Sequence, residues 1–174
     1  MEKITKGLEG VIMLSTPMAK AINNQIADEF NASYLYLSMS AYCDSIGFRG
    51  FAKWLRKQSE EEIGHGMKLI DYMNDQFSRV ELQQIYAPEK TFGSLTDMME
   101  QALLHEQEIS DGIYQLYDQA GNEKDYTTQT MLDWFITEQL EEEKTVGDVV
   151  EKLRIFGENK SSLYLIDQEL GQRE

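Results

Sequence analysis

The chain has 174 residues, 41% of them hydrophobic and 27% charged, with a formal net charge of −15. A chain of this size forms one domain and buries about 70% of its unfolded surface, and its apolar share excludes a disordered chain. The acidity disfavours nucleic acid and anionic membrane as partners and favours cations, and no apolar run approaches the roughly 20 residues of a membrane span.

The single cysteine, Cys43, excludes an internal disulfide and a Cys-x-x-Cys site, which points to a reducing cytoplasm. Lys3 and Lys6 precede a short apolar run at 11–14. That run is shorter than the roughly 7–15 residues of a secretion signal, and Glu9 stands just before it. Two prolines in the whole chain favour long helices.

Residues 1–15 read as an irregular N-terminal extension, 16–157 as the body and 158–174 as a short C-terminal helix and tail. Ser15-Thr16-Pro17 is a helix start, a hydroxyl cap followed by proline in the first turn. The first helix then runs to about Asp44 with an inward seam of Ile22, Ile26, Glu29, Ser33, Tyr36, Ser40 and Cys43. Phe30, Tyr34, Leu35, Leu37 and Met39 make other sides apolar too. That breadth predicts a subunit interface, with a wide core stripe as the alternative. Ser45-Ile46-Gly47 is a short turn, so the second helix, about 48–76, returns antiparallel. Its seam reads Phe48, Phe51, Leu55, Gln58, Glu62, His65, Leu69 and Tyr72.

Residues 77–93 break the pattern, with Pro88 and Gly93 as punctuation and residues 80–82 as a possible extended piece. About 18 residues reach ~60 Å when extended, and a 28-residue helix is only ~42 Å long. The connection therefore has the length to cross the whole bundle. The third helix starts near Ser94 with Asp97 in its first turn. Its seam is Leu95, Met99, Ala102, Glu106, Ile109, Ile113, Leu116 and Ala120, and Gly121-Asn122 is its predicted stop. The fourth starts near Asp125, with seam Thr128, Leu132, Phe135, Gln139, Glu142, Val146, Val149, Leu153 and Phe156, and ends at Gly157. Ser161-Ser162 is the predicted cap of a fifth helix, Leu163 to Leu170, with Leu163, Ile166 and Leu170 on one face.

Each long seam is apolar except near its middle. Glu29 lies 12 residues past Pro17, Glu62 14 past Phe48, Glu106 12 past Ser94 and Glu142 17 past Asp125. Antiparallel packing of helices of similar length brings these positions into one layer, with His65 three residues beyond Glu62 on the same face. No lysine or arginine lies on any seam. Four buried carboxylates without a counter-charge oppose folding or become protonated, so the layer calls for a cation. Carboxylates with one imidazole suit Fe or Mn better than structural Zn. Glutamate can bridge two metals about 3.5–4 Å apart.

Four stretches go beyond spacing: Glu61-Glu62-Ile63-Gly64-His65, His105-Glu106, Trp-Phe-Ile-Thr-Glu-Gln-Leu-Glu-Glu-Glu at 134–143, and Asn31-Ala32-Ser33-Tyr34-Leu35-Tyr36 after Glu29. Together they resemble the motifs of the prokaryotic non-haem ferritins, ferritin-like di-iron four-helix bundles. The resemblance spans about Pro17 to Leu170, in order and with the long crossover. It implies an all-α ferritin-like four-helix bundle, with one long crossover between the second and third helices and a short fifth helix. It implies that Glu29 and His65 hold one iron, Glu106 and Glu142 a second, that Glu62 bridges them, and that Gln139 lies close to the second. It also implies a third, outer iron site from Glu61, Glu138, Glu141 and Glu142. Tyr36 is then a one-electron donor, with a core tyrosine bonded to a ligand carboxylate as the plainer alternative. Glu60 and Glu143 are expected to be solvated, His105 to lie at the surface, and Trp134 to serve packing.

The activity implied is that of a ferroxidase: dioxygen or peroxide oxidises Fe(II), and Fe(III) is stored as mineral inside an octahedral cage of self-associated chains. A peroxide-detoxifying rubrerythrin-like protein is the first rival. Gln139-x-x-Glu142 stands where such proteins carry a second Glu-x-x-His, and the lone cysteine forbids their Cys-x-x-Cys module. Ile63 in place of a methionine argues against haem between subunits. A metal-free scaffold or DNA-shielding cage is the rival from another class.

Overall fold

The structure, a computed structural model, describes residues 14–157 and 159–172. Residues 1–13 of the expected extension lie outside the described residues. Among the described residues there are five helices and no strand: α1 (Thr16–Ser45), α2 (Arg49–Asp75), α3 (Leu95–Glu123), α4 (Tyr126–Phe156) and α5 (Lys160–Leu170). The four long helices form the expected bundle, with α1 packed most extensively on α2 and α3 on α4.

Local chemistry sets most of the helix ends. Ser15 Oγ accepts from the Met18 N–H, and Ser94 and Asp97 form a reciprocal capping box at the start of α3. Asp125 caps α4 through the Thr128 N–H. Each such cap contributes about 1 kcal/mol. Two ends differ from expectation. Gly121-Asn122 does not stop α3; the helix runs on to Glu123, and Lys124 takes the left-handed conformation at φ +58°. The Asp125 N–H then returns to the Ala120 carbonyl, so the backbone closes without a glycine. α5 is capped by Asn159, whose side chain accepts from the Ser161 and Ser162 N–H groups, rather than by those serines.

The connection at 76–94 is extended without strand pairing. It lies along α1, held by α1 side chains. Asn23 accepts from the Glu81 N–H at 2.7 Å, Asn31 from the Tyr86 N–H at 2.9 Å, and the Tyr42 hydroxyl donates to the Phe92 carbonyl at 3.0 Å. These contacts advance along α1 as the connection advances, so the chain crosses the bundle lengthwise, as its reach predicted.

α2 has no cap of its own. Asp167 of α5 supplies one by accepting from the Phe51 N–H at 3.0 Å. α5 sits so close that a Cβ on Gly50 would fall 1.7 Å from the Asp167 carbonyl oxygen. Only glycine permits that approach. Ile166 and Leu170 of the expected apolar face are buried, while Tyr164 and Leu165 are exposed on the other side.

The core has two apolar clusters. One gathers Met39, Cys43, Phe51, Leu55, Met99, Val146 and Leu153 with their neighbours. The other gathers Ile22, Ile26, Leu69, Met73, Ile113, Leu132 and Phe135 with theirs. Burial pushes the Cys43 thiol up to about 12, so it is inert packing. The carboxylates of all four seams lie between the clusters.

Candidate metal centre

The heptad-like phase of each helix carries one glutamate into this layer. Glu29 and Glu62 are 0% exposed, Glu106 1% and Glu142 5%. His65, one turn beyond Glu62, places Nδ1 3.3 Å from Glu62 Oε2 and 3.7 Å from Glu29 Oε2. Its Nε2 lies 3.9 Å from Glu138 Oε1. Ligand atoms of Glu29, Glu62 and His65 come within 4.8 Å of one another, as do those of His65, Glu138 and Glu142. Among the described residues no lysine or arginine forms an ion pair with any of the four seam glutamates.

Burial has its electrostatic consequence. Desolvation, then the neighbouring Glu62, pushes Glu29 well above the usual carboxylate range. Desolvation, then Glu106, does the same to Glu62. Glu106 is raised mainly by burial, and Glu142 is pushed up to about 7 by burial and by Glu106. Glu29 Oε2 and Glu62 Oε1 are buried with no hydrogen-bond partner. Four crowded acids and two orphaned oxygens beside an imidazole fit one or two hard divalent cations.

Several polar contacts in the layer hold a candidate ligand carboxylate. The Tyr36 hydroxyl makes a short hydrogen bond to Glu106 Oε1. Gln139 Nε2 donates to Glu106 Oε2 at 3.2 Å. Two glutamines to which the sequence reading gave no role also take part. Gln25 Nε2 donates to Glu29 Oε1 at 2.9 Å, and Gln58 Nε2 to Glu142 Oε2 at 2.6 Å. Gln58 was on the seam. Gln25 was off it, but its place four residues before Glu29 is a signal that sequence offers.

The sequence model of the ferritin-like domain matches residues 19–156. The chain belongs to the ferritin family. It is 37% identical over 161 residues to a bacterial non-heme ferritin of Staphylococcus haemolyticus, covering 92% of this chain and 97% of that protein. The match to a Staphylococcus aureus bacterial non-heme ferritin has the same identity and extent. Among solved structures, an open-pore ferritin of the hyperthermophilic archaeon Archaeoglobus fulgidus superposes with a TM-score of 0.91 at 40% identity, covering 92% of this chain and 99% of that one. A humanized archaeal ferritin superposes equally well at 41% identity.

Around the buried layer of this ferritin chain, the outer residues divide. Glu61 and Glu138 line a cavity of about 740 Å³ between α2 and α4, together with His65, Lys68, Asp71 and Trp134. Glu138 is half-buried and faces His65, whereas Glu141 is exposed and joins neither three-residue ligand grouping. Glu60 is exposed as expected. Glu143 is not solvated: it is half-buried and accepts from the Ser110 hydroxyl at 2.5 Å. His105 is likewise half-buried rather than at the surface, with Nδ1 3.6 Å from Glu108 and Nε2 enclosed. Glu143 sits where α4 closes against α3, which seam position alone does not register. Trp134 packs edge-on against His65 and Phe135, with Lys68 Nζ 4.0 Å from its ring centroid.

Proposed function

We propose that this chain is a ferroxidase that stores iron. Fe(II) is the substrate: Glu29 and His65 take one ion, Glu106 and Glu142 the second, and Glu62 bridges them. Each ion gives up one electron. Dioxygen accepting two electrons and two protons leaves as hydrogen peroxide, and peroxide accepting two of each leaves as water. Carboxylate oxygens favour Fe(III) over Fe(II) and hold the pair at reacting distance. Tyr36, bonded to Glu106, holds that ligand, and where only one ion of the pair is present its phenol supplies the second of the two electrons. Glu138 with Glu142, joined by Glu61 and Glu141, forms an outer site through which product leaves.

The observation that carries this reading is the buried layer of four uncompensated carboxylates around His65. Storage requires an enclosure, and the named relatives are ferritins. Tyr34 and Leu37 of α1, with Ile63 and Ile85, expose an apolar groove of about 430 Å³. Met39, by contrast, belongs to the core and Leu35 packs against it. The exposed part of this face supports self-association into a closed shell.

The test is aerobic addition of Fe(II) to purified protein followed by size-exclusion chromatography with iron analysis. The expected result is rapid oxidation, with most of the ferric iron eluting in a large oligomer. A small oligomer that turns over peroxide without retaining iron would support a detoxifier instead.

A further inference from the structure

Two buried glutamines each bond one oxygen of a site carboxylate, Gln25 that of Glu29 and Gln58 that of Glu142. Gln25 is 3% exposed and Gln58 is fully buried. Each precedes a seam glutamate by four residues, Glu29 on α1 and Glu62 on α2. Gln25 folds back on its own helix to donate to Glu29 Oε1, which leaves Glu29 Oε2 unpartnered and 3.7 Å from His65 Nδ1. Gln58 reaches across from α2 to α4 and donates to Glu142 Oε2. One oxygen of each of these two carboxylates is thereby fixed.

We propose that Gln25 and Gln58 are positioning residues, one for each metal, that aim Glu29 and Glu142 by holding one oxygen so that the other meets the ion. The proposal rests on the two-metal reading above. An amide suits the task because it orients a carboxylate without cancelling its charge. A lysine or arginine in its place would satisfy the carboxylate and compete with the cation.

Gly112 gives an independent handle. It lies inside α3, where glycine is about 1 kcal/mol less favourable than alanine. A Cβ at that position would fall 2.5 Å from Gln25 Oε1. Glycine there gives Gln25 the room to sit over Glu29. Gly112→Ala therefore strengthens the helix while pushing Gln25 off its carboxylate, touching neither ligand nor donor.

The test uses the full chain with Co(II) under anaerobic conditions. Equilibrium titration gives the affinities, and anomalous diffraction from crystals held at limiting Co(II) gives the occupancy of each site. Gln25→Leu is expected to weaken the Glu29–His65 site roughly ten- to hundredfold, the usual range when a ligand loses its supporting partner, and to leave the Glu106–Glu142 site unchanged. Gln58→Leu is expected to do the reverse. Gly112→Ala should weaken the Glu29–His65 site with an equal or higher melting temperature, which keeps the test intact if either leucine variant folds poorly. Wild-type affinity at both sites in the leucine variants would overturn the proposal, as would equal weakening of both sites in each. If the wild-type protein itself holds no Co(II) pair in the layer, the two-metal reading falls and the positioning role falls with it.

Discussion

The apolar clusters at the two ends of the bundle and the carboxylate layer between them ride on the same four helices under opposite physics. The clusters, around Leu55 on one side and Leu132 on the other, gain free energy by leaving water, and nothing in them titrates in the physiological range. The layer loses free energy by leaving water, because Glu29, Glu62, Glu106 and Glu142 are ionisable, crowded and, among the described residues, without a lysine or arginine partner. The bundle's ends supply the stability that lets its middle stay unsatisfied, and an unsatisfied middle is what gives affinity for a cation.

The sharpest way to break this contrast is Glu62→Ala. Removing the shared ligand is expected to slow Fe(II) oxidation more than about a hundredfold, beyond the loss seen when only a ligand's supporting partner is removed. Stopped-flow absorbance checks it. The same change should raise the melting temperature of the metal-free protein at pH 8, since it removes a buried acid from the crowd. Leu132→Ala should do the converse. It is expected to cost about 2–5 kcal/mol in denaturant unfolding, at every pH, while oxidation per folded chain stays near wild type.

A smaller effect follows from protonation. The seam glutamates have native values above their ordinary 4.5, with Glu142 up to about 7. The folded state therefore binds protons that the unfolded state releases. Their contribution to stability is complete below about pH 4.5 and is lost as pH rises through 7 and beyond. Thermal melts with a chelator should show that decline, and saturating Co(II) should flatten or reverse it, because metal binding needs the ionised ligands. The smallest expected effect is that of Glu141→Ala, an exposed position. The first turnover should stay nearly intact and only later iron movement should change. A blocked first turnover would contradict the outer role of this residue.

Much of this was legible because the phase of a long helix fixes direction. Once Phe51, Leu55 and Leu69 define an inward stripe, Glu62 and His65 have nowhere else to point. The same holds for Glu29 between Ile26 and Tyr36, and for Glu106 and Glu142 on their seams. The crossover was legible from length alone. What escaped depends on contacts between helices or on competition at a helix end. Gln25 is the exception: it sits just off the α1 seam, yet its place four residues before Glu29 on the same helix was a signal that the sequence offered. Glu143 finds Ser110 on another helix. Lys124 ends α3 in a conformation usually left to glycine because the closing bond from Asp125 sets the geometry there. Asn159 outcompetes two serines as the cap of α5 because it stands one position before the helix.

Crystals soaked anaerobically with Fe(II) put the buried layer to the most direct test, with metal count and ligands read from anomalous density. Two ions are expected, one on Glu29 and His65 and one on Glu106 and Glu142, with Glu62 touching both. A layer that stays free of metal while Fe(II) collects only on exposed carboxylates such as Glu60 and Glu141 would contradict it.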